Sequence, residues 1–149
     1  MNAQLQPTNA LSGLELLKSL LNAGRRSGIG AALDFRLVDV QDGVVAFEGV
    51  PGEHAYNPIG SVHGGYAATL LDSACGCAVH SKLTATQTYT TLELKVSYLK
   101  AMSKDTGAVR AEGRVINMGR RVAFAEASLK DAAGKVYATA TSTLLVMER

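Results

Sequence analysis

Asn57-Pro58-Ile59-Gly60-Ser61-Val62-His63-Gly64-Gly65 leads into Tyr66-Ala67-Ala68-Thr69-Leu70-Leu71-Asp72-Ser73-Ala74-Cys75-Gly76-Cys77-Ala78-Val79-His80. From Gly64 to Val79 the only charged side chain is Asp72. A helix that is apolar on all sides is buried on most of its surface, so something must wrap it. A lone ionised carboxylate is expensive in such a helix, and Asp72 needs a reason to be there. The glycine turn in front offers one. Gly64 and Gly65 let a ligand approach the backbone closely, and the first N–H groups of a helix have no internal partner. An oxyanion or carbonyl oxygen suits that position. A donor pocket with a carboxylate about two turns along the helix has the makings of half an acyl-transfer site.

Away from this helix the apolar period changes to two. Leu33, Phe35 and Leu37 alternate with Asp34 and Arg36, and Val45 and Phe47 with Ala46 and Glu48. Gln41-Asp42-Gly43 between them is a hairpin-turn signal. Residues 51–62 read as a loop, and residues 81–87 as a polar link to a long strand. On that strand Leu92, Leu94, Val96 and Tyr98 are predicted on one face, with Thr91, Glu93, Lys95 and Ser97 on the other. Val109, Ala111, Gly113 and Val115 alternate with Arg110, Glu112 and Arg114, and two further strands are predicted over 122–130 and 136–147. Near the start, Leu14, Leu17, Leu20 and Leu21 have helical spacing behind Ser12 as N-cap, and Gly24, Gly28 and Gly30 end the helix. The first ten residues are predicted to be disordered.

The predicted order is α, β, β, α, β, β, β, β. The short turns between strands make the sheet mostly antiparallel. The class is α+β, with one sheet wrapped around a central apolar helix. Residues 1–30 form a tail and short helix, and residues 31–149 form the domain. Such a sheet leaves edge strands and apolar surface, which predicts at least a dimer.

The 149 residues make one domain of ordinary globular composition, 47% hydrophobic and 19% charged. A formal charge of +2 is too small to imply a nucleic-acid surface. No stretch approaches the roughly 20 apolar residues of a membrane span. The polar start lacks the order of a signal peptide, which predicts a cytoplasmic protein. Cys75 and Cys77 lie about 200° apart around a helix, so they are read as core residues rather than a disulfide or a metal pair. His54, His63 and His80 lack ligand spacing, and no metal is predicted.

These features resemble the hotdog-fold acyl-CoA thioesterases, and most of all their phenylacetic-acid-pathway (PaaI-like) branch. The resemblance covers about Leu33 to Met147. It rests on the Asn-x-x-Gly-x-x-His-Gly-Gly run at Asn57 to Gly65 with Asp72 downstream. Val96-Ser97-Tyr98-Leu99-Lys100-Ala101 and Gly119-Arg120-Arg121-Val122-Ala123-Phe124-Ala125-Glu126-Ala127 add to it. A His-Gly-Gly alone is a weak signal; the whole string is fairly specific.

The resemblance implies a thioester hydrolase acting on an aryl- or medium- to long-chain acyl-CoA. In it Asp72 is the base or nucleophile, and the Gly64 N–H polarises the thioester carbonyl. Asn57 helps hold water or thioester, and His63 shapes the turn or hydrogen-bonds near the thioester. A Ser or Thr from a partner subunit often completes the water site. Thr90 is the best match, then Thr91, because the alignment slips by one there. Arg120 and Arg121 are candidates for the phosphates of coenzyme A, since guanidinium forks suit phosphate oxygens. Lys100 and Lys104 are weaker candidates. Tyr66, Leu70, Leu92 and Leu94 are either acyl contacts or plain core. No cofactor is implied beyond the coenzyme A of the substrate, and similar proteins are usually tetramers built from two dimers. Two other readings belong to the same scaffold: a hydroxyacyl-thioester dehydratase, and a non-catalytic acyl-CoA sensor. The first wants a His–acid pair across a dimer. The second usually loses the acid or gains a DNA-binding segment.

Overall fold

In the computed structural model, which describes residues 10–26 and 28–149, six antiparallel strands pack against one long helix. The chain runs α1 (Gly13–Ala23), α2 (Ile29–Leu33), β1 (Phe35–Gln41), β2 (Val44–Gly49), α3 (Gly64–His80), β3 (Gln87–Tyr98), β4 (Val109–Met118), β5 (Val122–Asp131) and β6 (Val136–Glu148). A single 3-10 turn, Glu53–Ala55, lies in the loop before α3. The strand order is β1-β2-β4-β5-β6-β3, so β1 and β3 are the edges. The disorder expected for the first ten residues concerns a segment that, apart from Ala10, lies outside the described residues.

Every residue of α3 is buried or half-buried, as an all-round apolar helix requires. Tyr66, Leu70, Leu71, Ala74, Cys75 and Val79 share one core with the inner face of the sheet. The strands answer with small residues. Ala111 and Gly113 on β4, and Ala123, Ala125 and Ala127 on β5, leave room for the helix backbone. A Cβ placed on Gly113 would lie 2.4 Å from the Ala74 carbonyl carbon and oxygen. Leu129 and Leu144, both fully buried, close the core around this contact, each contributing about 1.5–3 kcal/mol by leaving water.

Helix α1 begins at Ser12, whose hydroxyl accepts from the Glu15 N–H, and ends at Gly24 in the left-handed region, as the sequence predicts. It packs beside α3 on the β1 side, where Leu17 joins Val40 and Val45 in a second small core. Gly13 touches the end of α3: a Cβ there would come within 1.8 Å of the His80 carbonyl oxygen.

Three local predictions differ from the structure. Leu33 ends the short helix α2 rather than starting β1, because Asp34 takes a left-handed conformation (φ 60°) as its C-cap and the extended chain starts only at Phe35. The loop before α3 holds the 3-10 turn already noted. On β3 a bulge sits between Thr91 and Glu93, opposite Leu144 and Thr143 of β6. A bulge inserts one unpaired residue and reverses the facing of everything on one side of it. Thr91 therefore shares the inner face with Leu94, Val96 and Tyr98, while Leu92 is exposed.

The helix contact at Gly113 gives a direct test. Gly113→Ala should cost about 1–3 kcal/mol by overpacking, read as a fall in Tm of roughly 3–10 °C. An unchanged Tm would mean that the α3 backbone does not sit this close to β4.

Candidate active site

The loop before α3 delivers its last residue to a fixed place. The His63 N–H donates to the Ala55 carbonyl at 2.7 Å, and the Val62 N–H to the Met102 carbonyl at 3.0 Å. His63 is then extended (φ −60°, ψ 135°) and acts as the N-cap. Its Nδ1 accepts the Gly65 N–H at 2.7 Å, and its carbonyl accepts the Tyr66 N–H at 2.9 Å. Accepting through Nδ1 leaves the ring proton on Nε2. These bonds satisfy the second and third amides of the helix. The Gly64 N–H has no partner among the described residues, and it borders a cleft of about 270 Å³ lined by Val62, His63, Ala67, Tyr98 and Met102. An open N–H at a helix start is a donor for a carbonyl oxygen that gains negative charge.

Asn57 holds its own turn. Its Oδ1 accepts from the N–H groups of Ile59 (3.1 Å) and Ser61 (3.2 Å), and its Nδ2 donates to Ser61 Oγ at 3.2 Å. One Nδ2 hydrogen is left over for anything else.

Asp72 is half-buried on α3, and it makes no ion pair among the described residues. Its Oδ1 instead accepts the hydroxyl of Thr91 at 3.0 Å. Of the two threonines considered from the sequence, the bulge turns Thr91 toward the chain's own Asp72. Thr90 is exposed on the opposite face of the β3 edge, where only another molecule would meet it. Gly64 and Asp72 are eight residues apart, about 12 Å along the helix axis.

The other sequence candidates separate. Tyr66 and Leu70 are closed into the core at 2% and 0% exposure, Leu94 is half-buried against it, and Leu92 faces out. The Tyr66 hydroxyl is buried without a partner among the described residues, and burial pushes its pKa up to about 12, with the Asp34 charge adding to the rise. Arg120 and Arg121 sit at the β4–β5 turn, make no ion pair among the described residues, and line a cleft of about 650 Å³ with Gln87, Leu145, Met147 and Glu148. Thr91, Leu144 and Ala123 form one row across β3, β6 and β5, and Arg121 lies two residues beyond it. The arginines and the carboxylate thus occupy the same end of the sheet. Lys100 Nζ stands 5.7 Å over the Tyr137 ring, and Lys104 pairs with Glu53 at 3.3 Å.

The contact that sequence reading missed is Tyr98. Its hydroxyl donates to the Gly64 carbonyl at 2.7 Å. In the sequence Tyr98 is a strand residue within a string shared with the resembled family, and no spacing rule links it to the helix start.

The model of the thioesterase superfamily matches residues 59–138 of the chain. A candidate esterase of Saccharolobus solfataricus is 30% identical over 116 residues, which is 77% of this chain and 80% of that protein. A candidate esterase of Halobacterium salinarum is 41% identical over 81 residues, 53% of this chain; the match spans only about half of that protein, 48%. Among solved structures, a hypothetical thioesterase of Streptococcus pneumoniae with coenzyme A superposes with a TM-score of 0.70 at 26% identity, covering 77% of this chain and 90% of that one.

Cys75 and Cys77 are both free and join different cores, Cys75 under the sheet and Cys77 beside α1, as their angular separation predicts. Burial pushes both thiols up to about 12, and the Asp72 charge adds to the rise. The folded protein should therefore leave a chromogenic disulfide reagent unreacted at pH 8, and release two thiol equivalents only in denaturant. Fast labelling of the native protein would contradict this packing.

Proposed function

The chain belongs to the thioesterase superfamily, and on that footing we propose that it hydrolyses an acyl-CoA to the free acid and coenzyme A. The observation that carries the reading is the pair of groups on α3: an open Gly64 N–H at its start, and an Asp72 carboxylate without a basic partner among the described residues but oriented by Thr91. A thioester is already activated, so this equipment suffices. The Gly64 N–H holds the carbonyl oxygen and stabilises the charge of the tetrahedral intermediate. Asp72 takes a proton from water as the water attacks, or attacks the carbonyl itself to form a mixed anhydride that water then opens. The C–S bond breaks in either route and sulfur leaves as the coenzyme A thiolate.

Direct attack brings the reacting atoms to about 3 Å, whereas Gly64 and Asp72 of one chain are about 12 Å apart along the axis. In our reading the carbonyl held at one chain's Gly64 is served by Asp72 of a second copy. The long edge strand β3, with Thr90 and Leu92 exposed on it, is where that copy would join. Thr90 then completes the partner's water site, and a dimer, or a tetramer of two such dimers, is the working form. Arg120 and Arg121 take the phosphates of coenzyme A. The coenzyme A in the Streptococcus pneumoniae structure supports this ligand class. That protein has also been solved with an aspartate and with a threonine replaced by alanine. The acyl group is of the aryl or medium- to long-chain kind served by the PaaI-like branch, and the reaction is placed in the cytoplasm. No helix among the described residues is long and apolar enough to cross a membrane.

The test is hydrolysis of a panel of acetyl, hexanoyl, palmitoyl, benzoyl, phenylacetyl and hydroxybenzoyl thioesters, read by the released thiol. Asp72→Ala should lower kcat at least about a hundredfold, as expected for loss of a positioned base. Equal turnover by mutant and wild type would remove Asp72 from the chemistry.

Gly64→Pro removes the donor. Proline is favoured at the first helical position and carries no N–H, and the ψ of 135° at His63 suits a residue before proline. A Cβ at this position would lie 3.0 Å from Tyr98 Oη, so the tyrosine tip has to give way. A loss of about 10²–10³ in kcat is expected. Co-expressing the two inactive variants separates one-chain from two-chain sites. A site shared between copies should recover about a quarter of wild-type activity, since half the dimers are mixed and each has one intact site. A site within one chain would recover none.

A further inference from the structure

Gly64 is not in the left-handed region, so its backbone conformation is open to any residue. What crowds a larger residue there is a neighbour. A Cβ at position 64 would lie 3.0 Å from Tyr98 Oη and 3.1 Å from Cζ. The tyrosine ring lies against the bare backbone, and its hydroxyl donates to the Gly64 carbonyl at 2.7 Å. The ring is otherwise more than half exposed, at 56%. A glycine at a helix start has more freedom than any other residue, and the amide and carbonyl on its two sides share only one Cα as a hinge. Fixing the carbonyl limits where the amide can point.

The same strand grips α3 a second time, through the Thr91 hydroxyl on Asp72. Thr91 and Tyr98 are seven residues apart, which would put them on opposite faces of a regular strand. The bulge between Thr91 and Glu93 brings both to the face of the helix. We propose that Tyr98 is a positioning residue for the Gly64 N–H donor, and that β3, by virtue of its bulge, holds both working groups of α3 through two hydroxyls. This rests on the hydrolase reading for its effect on rate, but the contact itself is testable apart from activity. With its proton committed to the Gly64 carbonyl, the Tyr98 hydroxyl does not donate to the substrate.

Tyr98→Phe keeps the ring and removes only the hydroxyl. Run beside wild type and Asp72→Ala, it should lower kcat about fivefold to tenfold, the rate equivalent of one hydrogen bond, with KM unchanged within about twofold. In the same variant, amide exchange followed by NMR should quicken in the first turn, residues 64–68, and stay unchanged over residues 72–80. A wild-type kcat, or a loss carried entirely by KM, would overturn the proposal. Should wild type hydrolyse none of the thioesters, the hydrolase reading fails on its own, and the exchange experiment still decides whether Tyr98 orders the helix start. Unaltered exchange in residues 64–68 would overturn it.

Discussion

Everything in this molecule depends on how closely α3 lies on the sheet. A helix without a polar face gains by burial alone, and that gain is largest where its backbone nearly touches the strands. Gly113 and the alanines of β4 and β5 make the approach possible. The same approach fixes the helix in rotation and in depth. With nearly every turn held by packing, the two polar exceptions, the first amide and the Asp72 carboxylate, are carried to set positions with little freedom to relax. The core and the candidate site are therefore one construction: a change that lifts the helix from β4 also moves the carboxylate.

The helix ends are closed by side chains together with backbone groups from neighbouring turns. At the start, His63 and the carbonyl of the same residue take two of the orphan amides and leave one. At the end, the Ser81 hydroxyl donates to the Ala78 carbonyl at 2.6 Å and accepts the Gly43 N–H at 2.8 Å, tying the β1–β2 hairpin to the helix. The capping pattern is thus uneven, complete at one end and one bond short at the other. An unpaired amide is tolerable beside a cleft, where water or a ligand reaches it, and would be costly inside the core.

Much of this was legible in the chain. The all-apolar run around Asp72 carries its own burial in its composition, and the alternation of residues 109–115 places β4 without ambiguity. The Ser12 cap and the Asp42-Gly43 turn are local chemistry, decided by two or three residues. What stayed hidden depends on contacts between distant segments. Leu33 has the right neighbours for a strand, but the left-handed Asp34 cuts it off. Asn57 before Pro58 suits a turn as well as the water or thioester role that the resemblance implies, and only its bonds to Ile59 and Ser61 show how its amide is used here. The facing of Thr91 could not be read from alternation, because Leu92 and Leu94 supply a regular apolar pattern that the bulge interrupts.

That interruption bears on how relatives of this chain are compared. An alignment matches residues by column, whereas a sheet assigns them by side. Along β3 the two agree on both sides of the bulge only if a relative carries the same extra residue at the same place. In a relative one residue shorter here, Tyr89 and Thr91 would share columns with side chains that point to the far side of the sheet. A hydroxyl kept in the same column could then serve a different surface. Two chains that look equivalent by letter could differ in which threonine meets the acid, through a change of length and not of chemistry.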